Sequence, residues 1–257
     1  MSTFDPKPVP APRRKHCLAG LDILIIAGGL GTRIAPVLGN VPKLLAPIRG
    51  RPYLIYLLDW LKQFGAARIV FSLGHQAQAI TGFLGENRSA HADLTIEIAI
   101  EPRPLGTAGA IRFARPKLRT DPVLIMNGDS FANADLCAFV HHHQIAKARA
   151  TLLCAQVADA GRYGRVEIDR NARIRGFIEK DPNFHGSSAV NAGVYLFSAA
   201  LLDEIAAGQA SSLEREVFAV APPGSLAGFS GHFEFIDIGT PESLALAEHV
   251  IGRRSET

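Results

Sequence analysis

Leu21 to Ala27 (LDILIIA) is apolar at every position but Asp22, and it stops at Gly28-Gly29. A half-exposed strand alternates polar and apolar residues. A short, nearly continuous apolar run closed by glycines is instead the pattern of a central strand buried on both faces of its sheet. Similar runs fall at Arg68 to Leu73, Leu94 to Ile100 and Val123 to Met126. Between them the spacing turns helical: Leu54, Leu57, Leu58 and Leu61 within Tyr53 to Phe64, then Ala77, Ile80, Phe83 and Leu84 within Gln76 to Leu84. Strands alternating with helices predict βαβ units and an α/β fold with a mostly parallel sheet. Right-handed crossovers then align the strand C-termini along one edge, where open α/β sheets bind ligands.

The later half is less regular. Ala150 to Gln156, Arg165 to Ile168, Arg173 to Ile178, Asn191 to Phe197 and Phe233 to Ile238 read as strands, the second and third closing a hairpin around Asp169-Arg170-Asn171-Ala172. Pro241 to Ile251 reads as a closing helix with Pro241 in its first turn. Residues 1–20 hold Pro6, Pro8, Pro10 and Pro12 among Lys7, Arg13, Arg14 and Lys15, without periodicity, and are expected to be a disordered extension. Residues 21–257 are expected to form a single domain.

Charged residues make up 20% of the chain and the net charge is +3, without the clustered Lys/Arg of a nucleic-acid binder. No apolar run reaches the ~20 residues that span a bilayer, and no signal-peptide core follows the N-terminus, so the expectation is no membrane and a cytoplasmic enzyme. Cys17, Cys137 and Cys154 have neither metal nor redox spacing and are expected to be unpaired thiols in a reducing compartment.

The loop after the first strand reads Ala27-Gly28-Gly29-Leu30-Gly31-Thr32-Arg33, with Pro42-Lys43 downstream. Glycines let backbone N–H groups approach a phosphate chain, while Arg33 and Lys43 supply charge. The spacing matches neither G-x-x-x-x-G-K-[ST] nor G-x-G-x-x-G. A dinucleotide-binding oxidoreductase also needs an acidic residue about 20 positions on, and Asp59 lies too far along. Two carboxylates follow apolar runs: Asp129 after Val123 to Met126 in Asn127-Gly128-Asp129, and Asp237 in Asp237-Ile238-Gly239-Thr240-Pro241. Mg²⁺ takes one or two carboxylates and completes its octahedron with phosphate oxygens and water. Either aspartate alone is equally well a turn former or helix cap.

The run AGGLGTR with Pro42-Lys43, then NGD and DIGTP, resembles the signature of the sugar-1-phosphate nucleotidyltransferases, and the likeness extends from Leu21 to the last helix. The phrases PKLLAPIRGRPYL, EPRPLGTAGAIRFA and SLEREVF look most like the D-glycero-α-D-manno-heptose 1-phosphate guanylyltransferases. This resemblance implies a Rossmann-like three-layer sandwich with a mixed central sheet, of the nucleotide-diphospho-sugar transferase type. It implies condensation of a nucleoside triphosphate with a sugar 1-phosphate, giving NDP-sugar and pyrophosphate for surface polysaccharide such as capsule. Mannose 1-phosphate guanylyltransferases and uridylyl- or thymidylyltransferases acting on N-acetylmuramate or glucose 1-phosphate are the nearest alternatives. A catalytically silent NDP-sugar sensor would be expected to lack the carboxylates or Arg33, and all are present.

Carried over residue by residue, the family pattern makes Asp129 and Asp237 the Mg²⁺ ligands. Arg33, Lys43, Asp129 and Lys180 become catalytic. Ala27, Gly28, Gly29, Gly31, Thr32, Gly106 and Thr107 fall against the nucleotide, with Glu101 where a base is read. A carboxylate only accepts hydrogen bonds, which suits the N1–H and N2–H₂ donors of guanine. Glu179 of the Glu179-Lys180 pair, Gly164 of Arg162-Tyr163-Gly164, and Asn191 and Gly193 of Val190 to Tyr195 line the sugar pocket. Family members often form dimers or tetramers; the sequence itself fixes no oligomeric state. His141-His142-His143 cannot converge on one ion from a helix and are expected to be a solvated helix end. Ser211-Ser212-Leu213-Glu214-Arg215-Glu216 reads as a capped helix start.

Overall fold

The computed structural model describes residues 16–178 and 181–252. In chain order its strands are β1 (Asp22–Ala27), β2 (Pro47–Ile48), β3 (Arg51–Pro52), β4 (Arg68–Leu73), β5 (Thr95–Ile100), β6 (Val123–Asn127), β7 (Ser130–Ala132), β8 (Ala150–Val157), β9 (Arg165–Ile168), β10 (Ile174–Ile178), β11 (Ser188–Phe197), β12 (Leu226–Gly231) and β13 (Phe235–Asp237). The helices are α1 (Ala35–Leu38), α2 (Tyr53–Gln63), α3 (Ala77–Glu86), α4 (Gly106–Ala114), α5 (Leu136–Ala146), α6 (Ala199–Ala207) and α7 (Pro241–Gly252).

The main sheet runs β5-β4-β1-β6-β11 and then forks, to β9-β10 on one arm and β8-β12 on the other. The strands β5, β4, β1 and β6 are parallel, whereas β11 is antiparallel to β6 and to β8. Helices cover both faces. In β1, Ile23 and Ile25 join the core beneath α2 and α5, while Leu24 joins the opposite core with Ile111 of α4 and Leu202 of α6. That is the two-sided burial expected of LDILIIA, and the fold is the mixed α/β sandwich that the sequence implied. Because β1 is flanked by β4 on one side and β6 on the other, the crossovers diverge there. The resulting crevice lies at the C-terminal ends of β1 and β6.

Several features depart from expectation. Residues 16–20, assigned to the extension, form turns: the Leu18 amide donates to the Phe64 carbonyl at 3.0 Å and its side chain is fully buried. Residues 1–15 lie outside the described residues. Cys17 and Cys137, expected to be unpaired, form a disulfide with their Cα atoms 5.4 Å apart, and Cys154 alone is a buried free thiol. Spacing between cysteines in sequence carries no information about the distance between them across a fold. The histidines on α5 are not a solvated end. His143 is buried with Nδ1 2.7 Å from Thr151 Oγ1, and His142 packs on the Phe229 ring; only His141 is exposed. β12 (LAGFSG) gave no strand signal because its glycines hide it, yet it pairs in parallel with β8 along its length. No helix among the described residues is long and apolar enough to cross a membrane.

Candidate active site

The chain leaves β6 through Gly128, whose amide donates to the Ile26 carbonyl of β1 at 2.7 Å, and so delivers Asp129 to the crevice. Immediately afterwards β7 pairs antiparallel with β13, Ser130 opposite Asp237, and the Ile238 amide donates to the Asp129 carbonyl at 2.8 Å. Two short strands far apart in sequence thus set the two carboxylates side by side. Tyr53, at the start of α2, braces this ribbon by donating from its hydroxyl to the Ser130 carbonyl at 2.9 Å. Burial, followed by the charges of Asp129 and Asp237, raises the Tyr53 pKa well above its ordinary value and keeps the phenol neutral.

Asp237 bears the electrostatic cost of the pairing. Burial first, then the charge of Asp129, pushes its pKa up to about 6, against the opposing pull of Lys43, Arg33 and Arg162. Its Oδ1 is buried with no hydrogen-bond partner among the described residues. Lys43 donates to Asp129 Oδ2 at 2.9 Å. A buried, unpaired carboxylate oxygen beside a second carboxylate is a donor set suited to a hard divalent cation.

Three clefts meet here. The first, about 260 Å³, is walled by Ala27, Gly29, Gly31, Lys43, Gly128 and Asp129. The second, about 370 Å³, takes in Asp129, Asp237, Arg33, Gly164, Asn191 and Gly193. A third, about 440 Å³, holds Arg33, Arg162, Tyr163, Asp237 and Thr240. Asp129 therefore belongs to both of the first two. Of the residues expected against nucleotide, Ala27, Gly29 and Gly31 line the first cleft; of those expected against sugar, Gly164, Asn191 and Gly193 line the second.

The remaining expected residues are placed as follows. Gly28 lies against the Glu101 carboxylate, where a Cβ would come within 2.5 Å of Oε1 and push that carboxylate from its place. Glu101 is 6% exposed, accepting from Ser72 Oγ at 2.9 Å and from the Leu105 amide at 3.2 Å. Thr32 is exposed, and Gly106 opens α4. The hydroxyl of Thr107 turns away from the glycine loop and accepts from the Leu213 amide at 2.8 Å. Asn191 donates to the buried Tyr195 hydroxyl at 2.9 Å and accepts from the Gly193 amide at 3.0 Å. Glu179 and Lys180 lie outside the described residues.

Two residues that flank the expected site residues in their motifs belong to the site themselves. Arg162 lines the second and third clefts beside Asp237, and neither it nor Arg33 makes an ion pair among the described residues. Asn127 lines the second cleft, and its Oδ1 is buried without a partner among the described residues. Their signal was adjacency: Arg162 lies two positions before Gly164, and Asn127 two before Asp129.

A family model described as Nucleotidyl transferase matches residues 23–251. The D-glycero-alpha-D-manno-heptose 1-phosphate guanylyltransferase of Aneurinibacillus thermoaerophilus is 33% identical over 233 residues, 89% of this chain and 97% of that protein. The mannose-1-phosphate guanylyltransferase of Mycobacterium tuberculosis is 33% identical over 227 residues, 86% of this chain, which spans only 62% of that relative's length. Among solved structures, HddC from Yersinia pseudotuberculosis matches with a TM-score of 0.80 at 29% identity, covering 89% of this chain and 98% of that one. HddC complexed with GMP-PN matches with a TM-score of 0.78. With a crevice at the C-terminal ends of β1 and β6, two facing carboxylates and this extent of likeness, the chain belongs to the nucleotidyl transferase family.

Proposed function

We infer that this chain transfers guanylyl from GTP to D-glycero-α-D-manno-heptose 1-phosphate, releasing pyrophosphate. The observation that carries the reading is Asp129, which lines both the glycine-loop cleft and the cleft of Gly164, Asn191 and Gly193. A reaction joining two phosphorylated substrates needs one charged centre common to both sites. The heptose is favoured by the relative whose length this chain spans almost fully.

In this reading the backbone amides of the glycine loop hold the triphosphate, with Arg33 and Lys43 offsetting its charge. The sugar phosphate oxygen attacks the α-phosphorus in line and pyrophosphate leaves opposite, so the protein contributes position and charge rather than a nucleophile. Asp129 and Asp237 would hold Mg²⁺, which supplies neutralisation of the charge on the reacting phosphates. Lys180 is assigned to the sugar phosphate and Glu179 to the sugar on the motif alone. The Glu101 carboxylate, with acceptor sites left beyond its bonds to Ser72 and Leu105, would read guanine N1–H and N2–H₂. The cytoplasm supplies GTP, and the product would feed surface polysaccharide such as capsule. The disulfide makes this an uncommon cytoplasmic protein. A dimer or tetramer follows from the resemblance, and light scattering would measure it.

The test is pyrophosphate release with Mg²⁺, crossing GTP, UTP, dTTP, CTP and ATP against a panel of sugar 1-phosphates that includes the heptose and mannose. Selective turnover of GTP with the heptose is expected. Faster turnover of mannose 1-phosphate would favour the second reading, which the Mycobacterium relative supports. Preference for UTP or dTTP would overturn the role of Glu101, and silence across the panel would overturn the enzyme. Glu101→Gln should lower kcat/KM for GTP by roughly tenfold to a hundredfold while sparing UTP.

A further inference from the structure

The hydroxyl of Thr107 has a single proton, and it goes to Glu214 Oε2 at 3.3 Å, while the oxygen accepts from the Leu213 amide at 2.8 Å. The side chain is thereby committed to the π-helical turn Glu214–Phe218. The two segments are in backbone contact as well. The Ala108 amide donates to the Ser211 carbonyl at 3.0 Å, and Gly106, at φ +75, leaves no room for a Cβ beside that same oxygen. Ser212 caps the turn by accepting from the Arg215 amide at 3.2 Å and donates from the same hydroxyl to Glu214 Oε2 at 3.2 Å.

Two hydroxyl donors therefore fix one oxygen of Glu214. The other, Oε1, has no protein partner among the described residues, and the half-buried side chain lines the second cleft together with Asn191, Gly193 and Gly164. No ion pair to Glu214 occurs among the described residues. An ionised carboxylate can only accept, and in a cleft it is costly until donors arrive. A sugar 1-phosphate brings both kinds of group. Arg33, Arg162 and Arg215 line the same cleft and can draw its phosphate, which Glu214 repels, so the groups left for Glu214 to accept from are hydroxyls.

We propose that Glu214 reads the sugar by accepting hydrogen bonds from its hydroxyls, and that Thr107 is the residue that positions it. The assignment rests on the sugar 1-phosphate reading above. It ties Glu101 to Glu214 through two hydrogen bonds, at Leu105 and at Thr107, joined by the short main chain between them.

The experiment is steady-state kinetics of Glu214→Gln, Thr107→Val and Thr107→Ser, using the nucleotide and sugar 1-phosphate that the unsubstituted protein turns over. Glu214→Gln should raise KM for the sugar 1-phosphate by about tenfold to a hundredfold, and Thr107→Val by roughly tenfold. KM for the nucleotide should stay within about twofold, and Thr107→Ser should restore the sugar KM, because it keeps the hydroxyl. Thermal melting of each variant separates this effect from a loss of fold. A rise in nucleotide KM with the sugar KM unchanged would overturn the proposal, as would Thr107→Ser behaving like Thr107→Val. If the unsubstituted protein turns over no such pair, the parent reading fails before any variant is made. If it does and Glu214→Gln leaves the sugar KM unmoved, only this assignment fails.

Discussion

At the scale of single residues, Asp237 is where the proposed metal site bears on stability. Burial and the neighbouring Asp129 raise its pKa to about 6, above the ordinary value of 3.8 that it regains on unfolding. Between these values the folded chain binds the extra proton, so the contribution of Asp237 to the stability of the metal-free protein falls as pH rises from about 4 to about 6. The full penalty, on the order of 2–3 kcal/mol, persists at neutral pH. Asp237→Asn should therefore raise the melting temperature of the metal-free protein at pH 7 while lowering kcat by about a hundredfold to a thousandfold. Saturating Mg²⁺ should flatten the pH dependence of the unsubstituted protein, because a bound cation favours the charged carboxylate. Melting curves from pH 4 to 8, with and without Mg²⁺, check this. The gap between Asp237→Asn and the unsubstituted protein should widen in favour of the variant as pH rises from 4 to 6 without metal, and a gap that does not change with pH would contradict the raised pKa.

At the scale of elements, the ribbon of β7 and β13 and the turn into α7 decide where Asp237 stands. Ser243, 1% exposed, accepts from the Gly239 and Thr240 amides at 3.1 and 3.0 Å, closing the turn that follows the carboxylate. Ser243→Ala would strand two amides and should cost about 1–3 kcal/mol in denaturant unfolding, with a fall in kcat larger than any change in KM. Little of this was open to sequence reading. β1, β4 and β6 announce themselves as apolar runs, and α2 by its leucine spacing, because burial on two faces or on one stripe writes itself into the sequence; β5 has the same apolar run but lies at the sheet edge and is only partly buried. β7 spans only Ser130–Ala132, too short for any period, and β12 is masked by its glycines. At the site, Asp129, Asp237, Arg33 and Lys43 stood out through motif context. That Thr107 serves Glu214 rather than the glycine loop depends on contacts across more than a hundred positions, which no local pattern records. The same limit hid the pairing of Cys17 with Cys137.

At the scale of the whole molecule, that disulfide closes a separation of 120 positions, tying the turn before β1 to the first residues of α5. The chain-entropy account gives a link of this span about 4–5 kcal/mol, which for a protein of this size is roughly 10 °C in melting temperature. Cys17→Ser should melt lower by about that amount with its far-ultraviolet dichroism unchanged, and reductant should produce the same fall in the unsubstituted chain. A melting temperature indifferent to both would show the thiols unpaired in solution. The change of strand direction at the border of β6 and β11 has a different consequence. Everything on the parallel side is complete before Ala132, and most of what shapes the second cleft is encoded after Ala160. A lineage could therefore rewrite most of its acceptor contacts in one late stretch of the gene, provided that stretch keeps Asp237 and the seat that Thr107 makes for Glu214.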